Sequence, residues 1–206
     1  VVLISPHPDD EILGAGGFLA AQARRSVPVT VIAVTDGEAA YPDVENLAGL
    51  RRREQEKALA RIGIEANGIQ RMGLPDGDVH TREADLASRI AGFLDRTTLL
   101  LAPWPHDPHP DHEACGRAAT AAARTTGALH VSYFFWTWHH CRPDTIASLR
   151  LSRFDLDEDL QQAKSLALAE YGSQLHRDSG QPILPEPLLA PARRSFETFV
   201  IHDSRS

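Results

Sequence analysis

Apolar runs without strict alternation occupy residues 1–4, 27–34, 99–102 and 131–138, a shorter mixed run occupies 68–72, and the intervening stretches repeat apolar positions at helical spacing. A strand buried on both faces needs no alternation, whereas a helix covering a sheet needs one apolar stripe. The pattern predicts five strands separated by helices over residues 10–24, 47–62, 84–94 and 112–124. Beyond residue 143 the periodicity weakens to one helix over 156–169, a proline-dense stretch over 182–191 and a last short strand over 196–201. Such alternation calls for a Rossmann-like, doubly wound α/β fold: a mostly parallel sheet in the order 3-2-1-4-5, helices on both faces and a C-terminal extension. Strands one and four are then neighbours where the winding reverses, the place where open sheets bind ligands.

Composition narrows the function classes. At 206 residues the chain fits a single domain over 1–206 with a sizeable core. A net charge of −7 argues against nucleic acid or an anionic membrane surface as partner, and no apolar run approaches the ~18 residues of a spanning helix. Cys115 and Cys141, two in different segments, predict a reducing, cytoplasmic location rather than a disulfide scaffold, with Cys115 a buried filler. The sequence starts at Val1 rather than at a methionine, which leaves a preceding targeting peptide open.

The ends of the first and fourth runs carry the chemistry. Pro6 and Pro8 stop the first strand among His7, Asp9, Asp10 and Glu11. An imidazole and a carboxylate three positions apart on a proline-stiffened turn can converge on one divalent cation, which makes His7 and Asp10 candidate ligands. An acid there also suits a helix N-cap, and for this cluster alone the two readings balance. A second cluster at residues 104–113, with His106, Asp107, His109, Asp111 and His112, again follows an apolar run and precedes a helical pattern. Two such clusters are hard to explain as caps. Two histidines, one carboxylate and an open fourth position are the ligand set of a hydrolytic zinc, which lowers the pKa of water from ~15.7 to about 7. Asp9 is then free to take a proton from that water.

Through Pro6-His7-Pro8-Asp9-Asp10-Glu11 and His109-Pro110-Asp111-His112 the chain resembles the PIG-L/LmbE-like zinc-dependent N-acetylglucosamine deacetylases. Weaker likeness runs through Leu50-Arg51-x-x-Glu54, Leu74-Pro75-Asp76-Gly77, Tyr171-x-Ser173-Gln174 and Phe196-Glu197. The resemblance implies one Zn2+ per chain held by His7, Asp10 and His112, with Asp9 as general base and His109 stabilising or protonating the intermediate. It implies that Asp111 orients a histidine, that Arg51 contacts substrate and that Asp76 holds sugar hydroxyls. The expected substrate is an N-acetylated amino sugar or its conjugate, and assembly into a homo-oligomer is compatible with the family.

Read from the residues alone, Arg51, Arg52, Arg53, Glu54, Glu56 and Lys57 form a solvated charged helix face, and Asp76 is a turn former in Gly73-Leu-Pro-Asp-Gly-Asp78. Trp136, Trp138, His139 and His140 end the fifth run as a packed aromatic layer with exposed histidines. Loops 38–49, 76–80 and 182–191 are expected to rim a cleft. Gly14-Ala-Gly-Gly17 comes too late after the strand, and lacks the spacing, for a dinucleotide fingerprint, which weakens an oxidoreductase reading. A metallophosphoesterase is the runner-up, although its surplus of bridging ligands is missing, and a non-catalytic sugar- or metal-binding module is the third class.

Overall fold

The structure, a computed structural model, describes residues 1–177 and 180–202. Strands β1 (Val2–Ser5), β2 (Thr30–Ala33), β3 (Ile69–Arg71), β4 (Leu99–Pro103) and β5 (Leu129–Tyr133) lie parallel in the expected order 3-2-1-4-5. β1 pairs with β4 through Val2↔Leu100 and Leu3↔Leu101, which brings the two His/Asp clusters to one sheet end. Strands β6 (Leu151–Asp155) and β7 (Phe196–Ile201) extend the sheet beyond β5 in the order β5-β7-β6, with β7 antiparallel to both neighbours. The strand order therefore has two more members than expected. β7 matches the predicted last strand, whereas β6 escaped the apolar pattern because it is an edge strand with no fully buried residue.

The helices are α1 (Asp10–Arg24), α2 (Leu47–Arg61), α3 (Glu83–Ala91), α4 (Pro110–Thr126), α5 (Thr137–His140), α6 (Pro143–Ala147), α7 (Glu158–Leu168), α8 (Gly172–Leu175) and α9 (Glu186–Leu189). Successive residues of a strand point to opposite faces, and β1 and β4 feed two cores accordingly. Leu3 and Leu101 pack with Ile12 and Leu19 of α1, Leu59 of α2 and Leu160 of α7. Val2, Ile4 and Leu100 pack with Leu86 and Ile90 of α3 and with Ala118 and Ala122 of α4. The α1 glycines serve packing: a Cβ on Gly14 would meet the Tyr133 ring at 2.3 Å, and one on Gly17 would meet Leu156 at 2.4 Å.

Two local expectations change. The fifth strand ends at Tyr133 because the backbone N–H groups of Phe135, Trp136 and Thr137 turn to donate to the buried Asp107 carboxylate rather than to a ladder. On α2, Arg51 and Glu54 are buried and do not share the solvated face of Arg52, Arg53, Glu56 and Lys57. Cys115 is buried and Cys141 half-buried, and both are free. Among the described residues no helix is long and apolar enough to cross a membrane.

Candidate active site

The turn after β1 is under strain. Asp9 stands at φ 133°, a region costly for any residue with a Cβ, of order 1–3 kcal/mol, and such a conformation persists only where its surroundings over-determine it. Those surroundings are visible. Ser5 Oγ lies 2.7 Å from His7 O and 2.5 Å from Glu11 Oε2, the Tyr171 hydroxyl donates to Glu11 Oε1, and His7 N donates to Asp10 Oδ2 at 2.9 Å. Arg51 Nη2 donates to Pro8 O at 3.2 Å and to Gln174 Oε1 at 3.0 Å, while Nη1 donates to Gly37 O at 2.8 Å. Asp9 occupies the N-cap of α1, yet its side chain makes no capping hydrogen bond, so the helix does not account for an acid at this position.

Asp10 sits at the centre of the cluster. Its Oδ2 lies 3.1 Å from His7 Nδ1 and 3.2 Å from His112 Nε2. Burial pushes its carboxyl up, but the facing His112 and His7 outweigh that and hold it well below the usual carboxylate range. His112 is fully buried on the first turn of α4, and its Nδ1 lies 2.8 Å from Asp107 Oδ2. Its Nε2 is buried and makes no hydrogen bond. Burial disfavours its charged form, but Asp10 and Asp107 overcome this and raise the pKa to about 9.

His109 is the N-cap of α4, where Asp111 N donates to its Nδ1 at 3.3 Å. The neutral ring therefore carries its proton on Nε2. Burial, then the nearby His7 and His112, lower its pKa to about 4. Its ring lies 4.9 Å from that of His7 and 5.1 Å from that of His112, and it stacks on Trp136 at 5.7 Å. Asp111 accepts from Gly77 N at 2.8 Å and Val79 N at 3.2 Å, and its Oδ2 lies 3.2 Å from His7 Nε2. Asp76 Oδ1 approaches the same His7 Nε2 to 3.2 Å, and Asp76 Oδ2 accepts from Ala39 N at 3.0 Å.

All eight sequence-predicted residues thus converge. His7, Asp9, Asp10, Arg51, Asp76, His109 and His112 line one cavity of about 250 Å³, and Asp111 stands directly behind His7. Ala39, Gly77 and Leu184 from the three expected loops also form its wall, together with Phe135 and Trp136. Asp9 lies 3.8 Å from Arg51 Nη2, and burial and the neighbouring Asp10 charge raise its pKa well above the usual carboxylate range. Two trios that share His7 bring potential ligand atoms within 4.8 Å of one another: His7, His109 and His112, and His7, Asp76 and Asp111.

The donor set fits a divalent cation. Asp10 Oδ2 lies between one nitrogen of His7 and one of His112, and His7 and His112 share the first of these trios although Asp10 belongs to neither, so imidazole and carboxylate donors of the kind that hold such an ion are gathered here. The family model for PIG-L, GlcNAc-PI de-N-acetylase, matches residues 2–123, more than half of the chain. The chain belongs to the PIG-L family. Its PIG-L-matching part contains both His/Asp clusters and ends within α4.

Among PIG-L-like relatives, the chain is 32% identical over 133 residues to the "Probable N-acetyl-alpha-D-glucosaminyl L-malate deacetylase 2" of Bacillus subtilis (strain 168), covering 59% of each. It is 31% identical over 134 residues to the diacetylchitobiose deacetylase of Thermococcus kodakarensis, covering 62% of this chain and 50% of that one. The chain spans about three fifths of the length of the first of these relatives and half of the second. The N,N'-diacetylchitobiose deacetylase structure from Pyrococcus horikoshii shares the fold with a TM-score of 0.75 and 21% identity, over 98% of this chain and 83% of that one.

Sequence reasoning gave no role to Asp107 or Glu11, although both lie inside the quoted clusters. An acid between two prolines five residues before His112 was the available signal for Asp107. The aromatic layer is present in part: Trp138 packs on Phe134 and His140 is exposed, but His139 is half-buried against Phe135 rather than exposed, and Trp136 leaves the layer to join the cavity wall.

Proposed function

We propose that the chain is a zinc-dependent hydrolase that removes an N-acetyl group from a glucosamine-containing small molecule or conjugate, releasing acetate and a free amine. The observation that carries this reading is Asp10 Oδ2 set between His7 Nδ1 and His112 Nε2, with the latter buried and making no hydrogen bond. His7, Asp10 and His112 would hold one zinc ion per chain. When bound, zinc acts as a Lewis acid on the carbonyl and lowers the pKa of water to about 7.

The other residues divide the work of positioning and proton transfer. Asp9 is buried beside the ligands, and burial together with the Asp10 charge raises its affinity for a proton, which suits a general base. It takes a proton from the attacking water as the C–O bond forms, and returns it to the nitrogen as the C–N bond breaks. Resemblance allowed His109 to be either a proton donor or an oxyanion stabiliser. A pKa of about 4 and an Nδ1 engaged by Asp111 N favour the second role, a neutral ring that donates from Nε2 to the developing oxyanion. Asp111 orients His7 through Nε2, while Asp107 orients His112 through Nδ1. Asp76 holds the far side of His7 and borders the sugar pocket, and Arg51 braces the Asp9 turn more than it reaches outward.

Relatives named for L-malate-linked N-acetylglucosamine and for diacetylchitobiose indicate the panel to assay. Amine release from such N-acetylglucosaminides, abolished by a chelator and restored by one equivalent of zinc, is the expected result. Full zinc occupancy with no amine release from any member, or hydrolysis of phosphate esters instead, would refute it.

A further inference from the structure

The first helix is broken, and a buried ion pair stands in the break. Ala15 of α1 has φ −147° and ψ 15°, which separates a short first segment, residues 10–14, from the longer remainder. In an unbroken helix Gly17 N–H would donate to Leu13 O and Phe18 N–H to Gly14 O. Here Gly17 N donates to Glu197 Oε1 and Phe18 N to Glu197 Oε2, both at 2.8 Å. Lys164 Nζ donates to Leu13 O at 3.2 Å and to Glu197 Oε1 at 2.7 Å. The two side chains, from α7 and β7, occupy the two halves of one helical rung. Both are buried, with side chains 4% and 2% exposed.

A buried ion pair is a poor device for stability, since desolvating two charges offsets much of their attraction and apolar residues of equal volume often serve as well. Its value here lies in geometry. The carboxylate caps the orphaned N–H groups of the second segment, and the ammonium caps a carbonyl of the first. Gly14 lies against the Tyr133 ring, whose hydroxyl donates to Ile4 O of β1 at 2.8 Å, so the first segment is seated on the sheet independently of the rest of α1. That segment begins with Asp10 and follows Asp9.

We propose that Lys164 and Glu197 are positioning residues of the active site: their ion pair holds α1 broken at Ala15 and thereby sets the Asp9–Asp10 turn against His112. The inference rests on the reading of Asp9 and Asp10 as base and ligand. The decisive variant is Lys164→Met/Glu197→Leu, which keeps volume and removes both charges together, so that neither is left buried alone. Its crystal structure and its zinc affinity, by competition with a chromogenic chelator, are compared with those of the parent chain. The expected result is a variant that melts near the parent, with α1 continuous through Ala15, Asp10 drawn away from His112 and zinc affinity lower by about 10- to 100-fold. A break that persists, or zinc affinity equal to the parent's, overturns the inference. Should the double variant not fold, Glu197→Asp keeps both charges and shortens the reach by one methylene, and the same two readouts decide. A parent chain that binds no zinc would remove the metal reading of the site, and the position of Asp10 in the variant crystal would then decide the inference alone.

Discussion

Replacing Asp107 with asparagine separates the orientation of His112 from mere packing. Burial pushes the Asp107 carboxyl up, but His112 and Thr137 outweigh it and keep it below the usual range, so at neutral pH it is an ionised, acceptor-only group. It accepts from Thr137 N at 2.7 Å and Thr137 Oγ1 at 2.6 Å through Oδ1, and faces His112 Nδ1 with Oδ2 at 2.8 Å. An acceptor at that place keeps a proton on Nδ1, so the proton that a cation would displace is the one on Nε2. In Asp107→Asn the oxygen stays on the side of Thr137 and Phe135, which together offer three donors against the single Trp136 N–H on the other side, and the NH2 group turns to His112. The neutral ring then favours the opposite tautomer, with its proton on Nε2, the nitrogen proposed to hold the metal. A hydrogen bond to a charged group is worth about 1.5–3 kcal/mol, and tenfold in affinity corresponds to about 1.4 kcal/mol. Zinc affinity should fall by about 10- to 100-fold while the fold survives, because the Thr137 contacts remain. Chelator competition measures the first quantity and thermal unfolding the second. Parental zinc affinity in Asp107→Asn would show that the carboxylate does not set the tautomer.

Asp9→Asn should retain zinc and lose ~10² to 10⁴ in kcat, since the amide cannot accept the proton; metal loss in its place would mean that the two aspartates exchange roles. His109→Ala should keep zinc and near-normal substrate binding while kcat falls ~10² to 10³, and a parental kcat would leave the oxyanion to the metal alone. Arg51→Ala removes donors to Pro8 O, Gly37 O and Gln174, so kcat should fall together with thermal stability; a change confined to KM would mark it as a substrate contact. His130 is buried with an unpartnered Nε2, and burial, then His202, lower its pKa to about 3. The unfolded chain therefore binds this proton first, so stability is complete above about pH 7 and declines as pH falls below the unfolded value near 6.5, by about 2 kcal/mol at pH 5. Urea titrations of the parent and His130→Leu at pH 7.5 and 5 should show a smaller acid loss in the variant, and equal losses would acquit His130.

Strand ends and turn chemistry were readable locally because the signals lie within a few residues. Pro6 and Pro8 end an apolar run, the His/Asp clusters follow two such runs, and the alternation of strand and helix fixes their adjacency through right-handed crossovers. Periodicity could not reveal which charges would be buried, because burying a charge depends on partners remote in the chain. Arg51 and Glu54 read as part of a solvated face until Gln174 and Ser173 close over them, 123 and 119 residues away. Asp107 acquires its role from backbone N–H groups up to 30 residues on, which also cut β5 short. The broken first helix depends on a carboxylate 180 residues from Gly17. Each of these contacts compensates a desolvation that exists only once the sheet and its covering helices have expelled water, so no window of local sequence contains it.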